Sequence, residues 1–235
     1  MHLAGPSTFW GYLYQAILAF QNIHNNRSCC TIMSSQTLSS TKAISLAGSA
    51  DILVDYFFYA INSILYQREI YPEAAFKKNM KYELSVLVAA DEDLMNYLKT
   101  ILEQLKVWLM MEVVQKLVLV IKSVKTGEVL ESWQFNVKAE KPDLSSSKET
   151  KSLAAIQAEI RNVIRQIVAT NTILPILDST CTFELLIYAD KNADIPDGWA
   201  ETGPHFVANS AELKLRSFST SVHRVENLVS YKLTS

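Results

Sequence analysis

The feature of this sequence that most constrains its fold is one apolar stretch, SADILVDYFFYAINSILYQREI at 49–70. Ser49 is a candidate helix cap, and Asp51 falls in the first turn. Two stripes of apolar residues recur at helical spacing: Ile52, Tyr56, Tyr59, Ala60 and Ile64 form one, and Val54, Phe58, Ile61 and Leu65 form the other. A helix on the surface of a domain needs a single apolar stripe. The two stripes therefore predict a central helix packed on more than one side.

Two further helices and several strands are predicted around this one. A second helix with an acidic first turn follows Asp91, where carboxylates favour the helix dipole, and a third helix covers about 153–169. Strand patterns lie at 81–90, 116–124, 129–140 and 180–190, and the turn KTGE joins the second and third of them into a hairpin. The predicted fold class is α+β, with three helices packed on an antiparallel sheet.

The chain ends in a long strand-like segment, AELKLRSFSTSVHRVENLVSYKL at 211–233. Apolar residues alternate at Leu213 and Leu215, and the alternation resumes one residue out of phase at Phe218. The slip near Ser217 predicts a β-bulge or a strand that changes faces, and we expect no tight hairpin because Gly and Pro are absent. An open sheet edge can accept an extended peptide. This segment is expected either to cover such an edge in every molecule or to move and close over a bound peptide.

The domain is predicted to cover 44–235, after a leader at 1–43 that we interpret as disordered or as an upstream-start artefact. The leader's uncharged run at 9–20 lacks a preceding Lys or Arg and is shorter than the roughly 20 residues that span a bilayer. A non-standard targeting segment is the alternative. The net charge of −2 predicts neither a nucleic-acid nor a membrane partner. Three cysteines without a disulfide pattern indicate a reducing compartment.

No motif of catalysis, cofactor binding or metal binding is visible. The six glycines form no phosphate-binding loop, the four histidines have no zinc-site spacing, and GxSxG is absent. The acidic cluster that starts at Asp91 is explained by its place at a helix start. We therefore predict a protein that is not an enzyme and has no cofactor, with an enzyme whose site assembles only on folding as the rival. The third helix carries Arg161, Arg165 and Gln166 on its flank, either as a solvated face or as a protein-binding face.

Several fragments together resemble a known family. They include SADILVDYFFYAINSILYQREIYP, QLKVWLM, VQKLVLVI, GEVLESWQF, AEIRNVIRQI, ELLIYADK, GPHFVANSAELKLRSFSTSVHRV and VSYKL, in family order over about 45–233. The chain is thereby similar to the HORMA-domain family, in particular to its mitotic-arrest-deficient class of spindle-assembly-checkpoint proteins. Departures are Ile173 in place of a family Phe, a slightly shorter C-terminus, and a family start near Met33.

The resemblance implies a switch between an open and a closed conformer. The segment at about 191–235 would be the mobile "safety belt", which blocks one sheet edge in the open state and encloses a peptide in the closed state. The peptide would pair near four residues, Leu185, Leu186, Ile187 and Tyr188, with Trp108 close to it. The implied guests are a kinetochore-anchored checkpoint receptor and the activator of the anaphase-promoting complex, whose sequestration delays anaphase.

The resemblance also implies partners for the third helix. Arg165, Gln166 and Arg216 match positions through which open and closed conformers dimerise, and Leu46 matches a hydrophobe that affects the balance of states. A HORMA-like silencing protein would use the same face and hand the complex to a disassembling ATPase. The implied localisation is nucleus, kinetochore and cytoplasm. The alternative within the fold is an adaptor of translesion DNA polymerase or of the meiotic chromosome axis.

Overall fold

The computed structural model describes residues 44–140, 151–190, 193, 195–196 and 198–233, and the predictions for the leader lie outside this range. Contacts within the chain separate a main unit, which includes the described residues up to 193 and those from 205, from a short segment that ends at Pro204. In that segment the amide of Trp199 donates to the carbonyl oxygen of Pro196 at 3.2 Å, which closes a turn. All other elements belong to the main unit.

Three helices are present in the main unit: α1 at Leu46–Gln67, α2 at Glu92–Met110 and α3 at Leu153–Thr170. The central position predicted for α1 is confirmed, because this helix contacts α2 and α3 and its Tyr56 and Phe57 are fully buried. The predicted cap is wrong. Ser45 caps α1 by accepting the amide N–H of Gly48 at 3.1 Å, whereas Ser49 lies inside the helix and is buried. Asp91 caps α2 as expected for the acidic cluster.

A two-stranded antiparallel sheet precedes α2, formed by β1 at Phe76–Lys81 and β2 at Leu84–Ala89. The prediction of a single strand at 81–90 missed β1 and the turn. Tyr82 and Glu83 form that turn with positive φ angles of 51° and 57°, which side chains other than Gly rarely adopt. The four middle residues of β1 are exposed, so this strand has no burial alternation that a sequence pattern can detect.

The main sheet is antiparallel throughout and has the strand order β5-β3-β4-β8-β6, with the short β7 paired to β8. Its strands are β3 at Val114–Ser123, β4 at Val129–Ala139, β5 at Cys181–Ala189, β6 at Ser210–Lys214, β7 at Phe218–Ser219 and β8 at His223–Lys232. The β3–β4 hairpin and the α+β class are therefore confirmed. The strand β5 forms one edge of the sheet, and the C-terminal strands form the other.

The C-terminal strands form a hairpin, contrary to our expectation. Ser221 supplies the tight turn with a φ of 73°, and the amide of Thr220 donates to the carbonyl oxygen of His223 at 2.9 Å. The predicted bulge is confirmed, because Lys214 pairs with Leu228 and Phe218 pairs with Val225. Between these pairs, the three residues 215–217 thus oppose the two residues 226 and 227. This C-terminal hairpin, residues 210–232, packs on α1, where the rings of Phe218 and Tyr56 meet at 4.7 Å between centroids.

Candidate functional site

The candidate site is the outer edge of β5. Its other edge is paired with β3 from Cys181 to Ala189, and β3 is its sole strand partner in the part of the chain that the structure describes. Just before β5 the carbonyl of Thr180 accepts from the amide of Val124 at 3.0 Å, and just after it the amide of Asp190 donates to Val113 at 2.9 Å. Antiparallel bonding alternates along a strand, so even-numbered residues bond to β3. The odd-numbered residues 181–189 therefore turn their backbone N–H and C=O groups outward, as an edge that can accept another strand.

The face of β5 toward the helices is aromatic. The ring of Phe183 lies 5.8 Å from Tyr97 of α2 and 6.2 Å from Tyr71, measured between centroids. Burial raises the pKa of Tyr97 to about 12, and a hydrogen bond with the Leu185 backbone partly offsets this rise. Leu185 of the same strand is also buried. The inner side of the edge is thus apolar and aromatic, with one hydroxyl at the backbone of Leu185.

The opposite face of β5 is charged. Lys122 of β3 lies 2.6 Å from the carboxylate of Glu184, and the ammonium of Lys116 stands 4.2 Å from the ring centroid of Tyr188. His205, where the chain re-enters the main unit, has Nδ1 at 3.8 Å from the same Glu184 carboxylate. The carboxylate of Glu184 is partly exposed. A strand added beside β5 would therefore meet apolar contacts on one face and a carboxylate on the other.

Some of the predicted peptide-binding residues have backbone groups that point away from β3, and others have backbone groups that bond to β3. Leu185 and Ile187 direct their backbone groups outward, whereas Leu186 and Tyr188 bond to β3 and can offer only side chains. Trp108 is buried near the end of α2. The carbonyl oxygen of Trp108 accepts a hydrogen bond from the amide of Val113, and the carbonyl oxygen of Val113 accepts one from the amide of Asp190. Trp108 is thus linked through Val113 to the end of β5. Tyr97, Glu184 and Lys122 were missed by the sequence reasoning.

Two of the three predicted dimerisation residues lie together. The side-chain oxygen of Gln166 on α3 accepts the amide of Arg216 in the bulge at 2.7 Å. Arg165 is exposed on α3 and lines a groove of about 250 Å³ between α3, the end of α1 and β2.

Leu46 is half-buried at the first position of α1. Arg161 on α3 forms an ion pair with Glu83, which agrees with a solvated polar face at that position.

A buried polar cluster joins α1 to the C-terminal hairpin. Ser49 Oγ lies 2.8 Å from His223 Nδ1 and 2.6 Å from Thr220 Oγ1, and the hydroxyl of Tyr56 donates to Asn227 at 2.8 Å. Sequence reasoning missed this cluster because each contact between α1 and the hairpin joins residues at least 171 positions apart. The Ser–His pair has the atoms of a hydrolase nucleophile and base. However, Ser49 is fully buried, so a substrate carbonyl has no access to it.

Within the described ranges, no group of three or more His, Cys, Asp or Glu residues could hold a metal ion. No helix among the same residues has both the length and the apolar composition to cross a membrane. The arrangement is that of a strand-accepting edge with a hairpin at the opposite side of the sheet.

Comparisons with known proteins agree with this architecture. The family model described as HORMA domain matches residues 49–223. The mitotic spindle assembly checkpoint protein MAD2A of Homo sapiens is 51% identical over 198 residues, which cover 83% of this chain and 96% of that protein. The mitotic spindle checkpoint component MAD2 of Saccharomyces cerevisiae is 37% identical over 194 residues, which cover 82% of this chain and 99% of that protein.

Solved structures show the same similarity. A chain in the crystal structure of the mitotic checkpoint complex matches with a TM-score of 0.73 and 42% identity, covering 79% of this chain and 99% of that chain. HTP-2 of C. elegans, bound to a HIM-3 closure motif, matches with a TM-score of 0.64 over 82% of this chain and 93% of its own. At 14% identity, the likeness to HTP-2 concerns the fold alone.

Proposed function

This chain belongs to the HORMA domain family, and from that premise we propose that it is a spindle assembly checkpoint adaptor that captures an extended peptide along β5. The observation that carries the proposal is the outer edge of β5, to which no strand among the described residues is paired, with the C-terminal hairpin at the opposite edge of the sheet. Main-chain hydrogen bonds would provide much of the affinity for a guest strand. The protein would act by holding its guest, without catalysis and without a cofactor.

The edge supplies three kinds of contact to a guest. Outward backbone groups at Ile187 would bond to the guest's main chain, and those at Leu185 would do so where the guest replaces the Tyr97 hydroxyl. The aromatic face around Phe183 would cover the guest's apolar side chains. Glu184 would lie beside the guest residue on the other face. The belt, at about 191–235, would then enclose the peptide, so that release requires the belt to open. This enclosure predicts slow association and very slow dissociation.

The proposed guests are a kinetochore-anchored checkpoint receptor and the activator of the anaphase-promoting complex. Sequestering the activator would delay anaphase, and the protein would work at the kinetochore, in the nucleus and in the cytoplasm. Arg165, Gln166 and Arg216 would form the surface on which an open conformer meets a closed one. A HORMA-like silencing protein, acting with a disassembling ATPase, would use the same surface. We favour the checkpoint over a polymerase or chromosome-axis role because MAD2A of Homo sapiens is 51% identical to this chain.

The test removes one outward backbone donor. In Ile187→Pro the lost N–H points away from β3, so the fold should persist, as edge strands tolerate proline. A labelled peptide from the activator's checkpoint-binding segment, followed by fluorescence anisotropy, should bind the variant at least about tenfold more weakly, because a hydrogen bond is lost and the ring obstructs the guest.

Two controls make this result specific. Ile187→Ala shortens the side chain but keeps the N–H, and should bind the peptide more tightly than Ile187→Pro. Leu186→Pro removes a donor to β3 and should destabilise the domain itself. Equal peptide affinity of the Ile187→Pro variant and the unmodified chain would contradict capture along this edge.

A further inference from the structure

His223 joins two elements that are distant in sequence. Its side chain is buried, with 2% of the residue exposed, and Nδ1 lies 2.8 Å from Ser49 Oγ in the first turn of α1. Ser49 Oγ in turn lies 2.6 Å from Thr220 Oγ1 in the turn of the C-terminal hairpin, and both hydroxyl residues are fully buried. These contacts exist only while the hairpin is packed on α1.

With a neutral imidazole, both hydroxyl groups and Nδ1 of His223 have hydrogen-bond partners. In one consistent arrangement, the Nδ1–H of His223 donates to Ser49, Ser49 donates to Thr220, and Thr220 donates to the carbonyl oxygen of His223 at 3.1 Å. The amide of His223 also donates to Thr220 Oγ1 at 3.0 Å. Each hydroxyl therefore both gives and accepts a hydrogen bond, as buried polar groups require.

His223 also lines a cavity of about 20 Å³, which has room for a single water molecule. The other residues that line this cavity are Leu109, Glu112, Val114, Val137 and Ala139. The elements packed against the ring are α1, the end of α2, β3, β4 and the hairpin turn. Among the described cluster and cavity residues that these elements contribute, Glu112 is the titratable group that faces His223.

We propose that His223 is a positioning residue whose neutral imidazole fastens the C-terminal hairpin to α1, and that protonation of the ring releases the hairpin. The proposal rests on the function proposed above, because it assigns a fastening point to the mobile belt. A second proton would go to Nε2 of a side chain that is almost fully buried and that lines a small, mostly apolar cavity. Burying that charge costs free energy that one carboxylate at the cavity wall offsets only in part.

The direction of the pH dependence follows from the environment of the ring. Burial lowers the pKa of His223 from its usual value near 6.5, and the weaker attraction of Glu112 raises it in part. A released, solvated His223 therefore binds a proton at a higher pH than the packed one. The contribution of the neutral ring to the packed conformer is complete above about pH 6.5. Below that pH, the ratio of packed to released conformers falls by up to about tenfold per pH unit. The loss ends below the lowered pKa of the packed residue.

The test measures the packed fraction of the full chain without a guest. NMR signals of the β8 amides report whether the hairpin lies on α1, and the nitrogen shifts of the His223 ring report its protonation, from pH 7.5 to 5.5. The packed fraction should fall below about pH 6.5 together with titration of this ring. A ring that becomes protonated while the β8 signals keep their packed intensities would overturn the proposal.

Two matched variants separate this effect from general acid sensitivity. His223→Asn keeps a polar atom near Ser49 but does not titrate, so its packed fraction should stay constant over this range. His205→Asn removes the other described histidine of the C-terminal region and should keep the pH profile of the unmodified chain. A profile for His223→Asn equal to that of the unmodified chain would also overturn the proposal.

A third measurement keeps the two proposals distinct. Peptide capture is assayed separately at pH 7.5, where His223 is neutral. Normal capture together with a flat pH profile rejects the fastening role alone. A sloped profile in a chain that captures no peptide rejects the proposed function alone.

Discussion

Arg68, at the end of α1, connects three parts of the fold through a buried guanidinium. Its Nε donates to Glu131 of β4 at 2.8 Å, one Nη donates to Asn171 at 2.7 Å, and the other reaches the carbonyl of Pro175 at 2.5 Å. The second carboxylate oxygen of Glu131 accepts the indole N–H of Trp133 at 3.0 Å. Both charged side chains are nearly inaccessible to solvent, so neither can recover hydration if its partner is removed.

Removing one member of this pair should therefore cost more than removing the charge from both. Arg68→Met and Glu131→Gln should each lower the free energy of unfolding by about 3–5 kcal/mol, because each leaves one buried charge unpaired. The double variant should be destabilised by clearly less than the sum. Urea unfolding monitored by circular dichroism measures all three, and Lys99→Met, from an exposed ion pair, is the control expected within about 0.5 kcal/mol. Additive losses would show that the two charges do not depend on each other.

At the scale of elements, the predictable part of the fold was the part with a local signal. The helices α1, α2 and α3 and the β3–β4 hairpin have apolar periodicity, and the hairpin also has a Gly-containing turn in which Gly127 adopts a φ of 70°. The strand β1 and the turn at Ser221 lacked such signals. The first is exposed along most of its length, and the second places a serine at a backbone angle that usually indicates glycine.

Arg165 and Gln166, neighbours on α3, differ in what they contact within the chain, which predicts different phenotypes. Arg165 is exposed beside the groove, so Arg165→Glu should abolish self-association and leave peptide capture unchanged. Gln166 accepts the amide of Arg216, so Gln166→Ala should also loosen the C-terminal hairpin. Sedimentation velocity measures self-association, and Lys99→Glu on α2 is the charge-reversal control. Dimers of Arg165→Glu as stable as those of the unmodified chain would remove the assigned role.

At the scale of the whole molecule, the edge at β5 is predictable from sequence only together with the family resemblance. The apolar run at 180–190 predicts a strand, but edge position depends on which strands pair, and this is decided by contacts across the whole chain. The polar cluster around Ser49 is a clearer case. Its partner His223 lies 174 residues away, and neither residue carries a motif. Local patterns predict burial well and cannot predict which buried polar groups meet.

The chain leaves β5 at one edge of the sheet and enters β6 at the other, so residues 191–209 connect the two edges. If the proposed belt encloses a guest on β5, the guest could be released only if the belt opened or if the guest slid out lengthwise. These routes differ in their dependence on the guest's ends. If the belt opens, the size of the ends has no effect on binding or release.

A guest peptide with a folded domain fused to each end distinguishes the two routes. If the belt opens, this guest should be captured as slowly as a guest with one fused domain, and should dissociate equally slowly, because opening limits both rates. Biolayer interferometry with either guest immobilised measures these rates. A chain that ends at Val225 lacks most of β8 and should bind both guests weakly, with fast dissociation. If the guest with one fused domain is captured and the guest with two is not, guests thread lengthwise. If the truncated chain releases its guest as slowly as the full chain does, the belt does not enclose the guest.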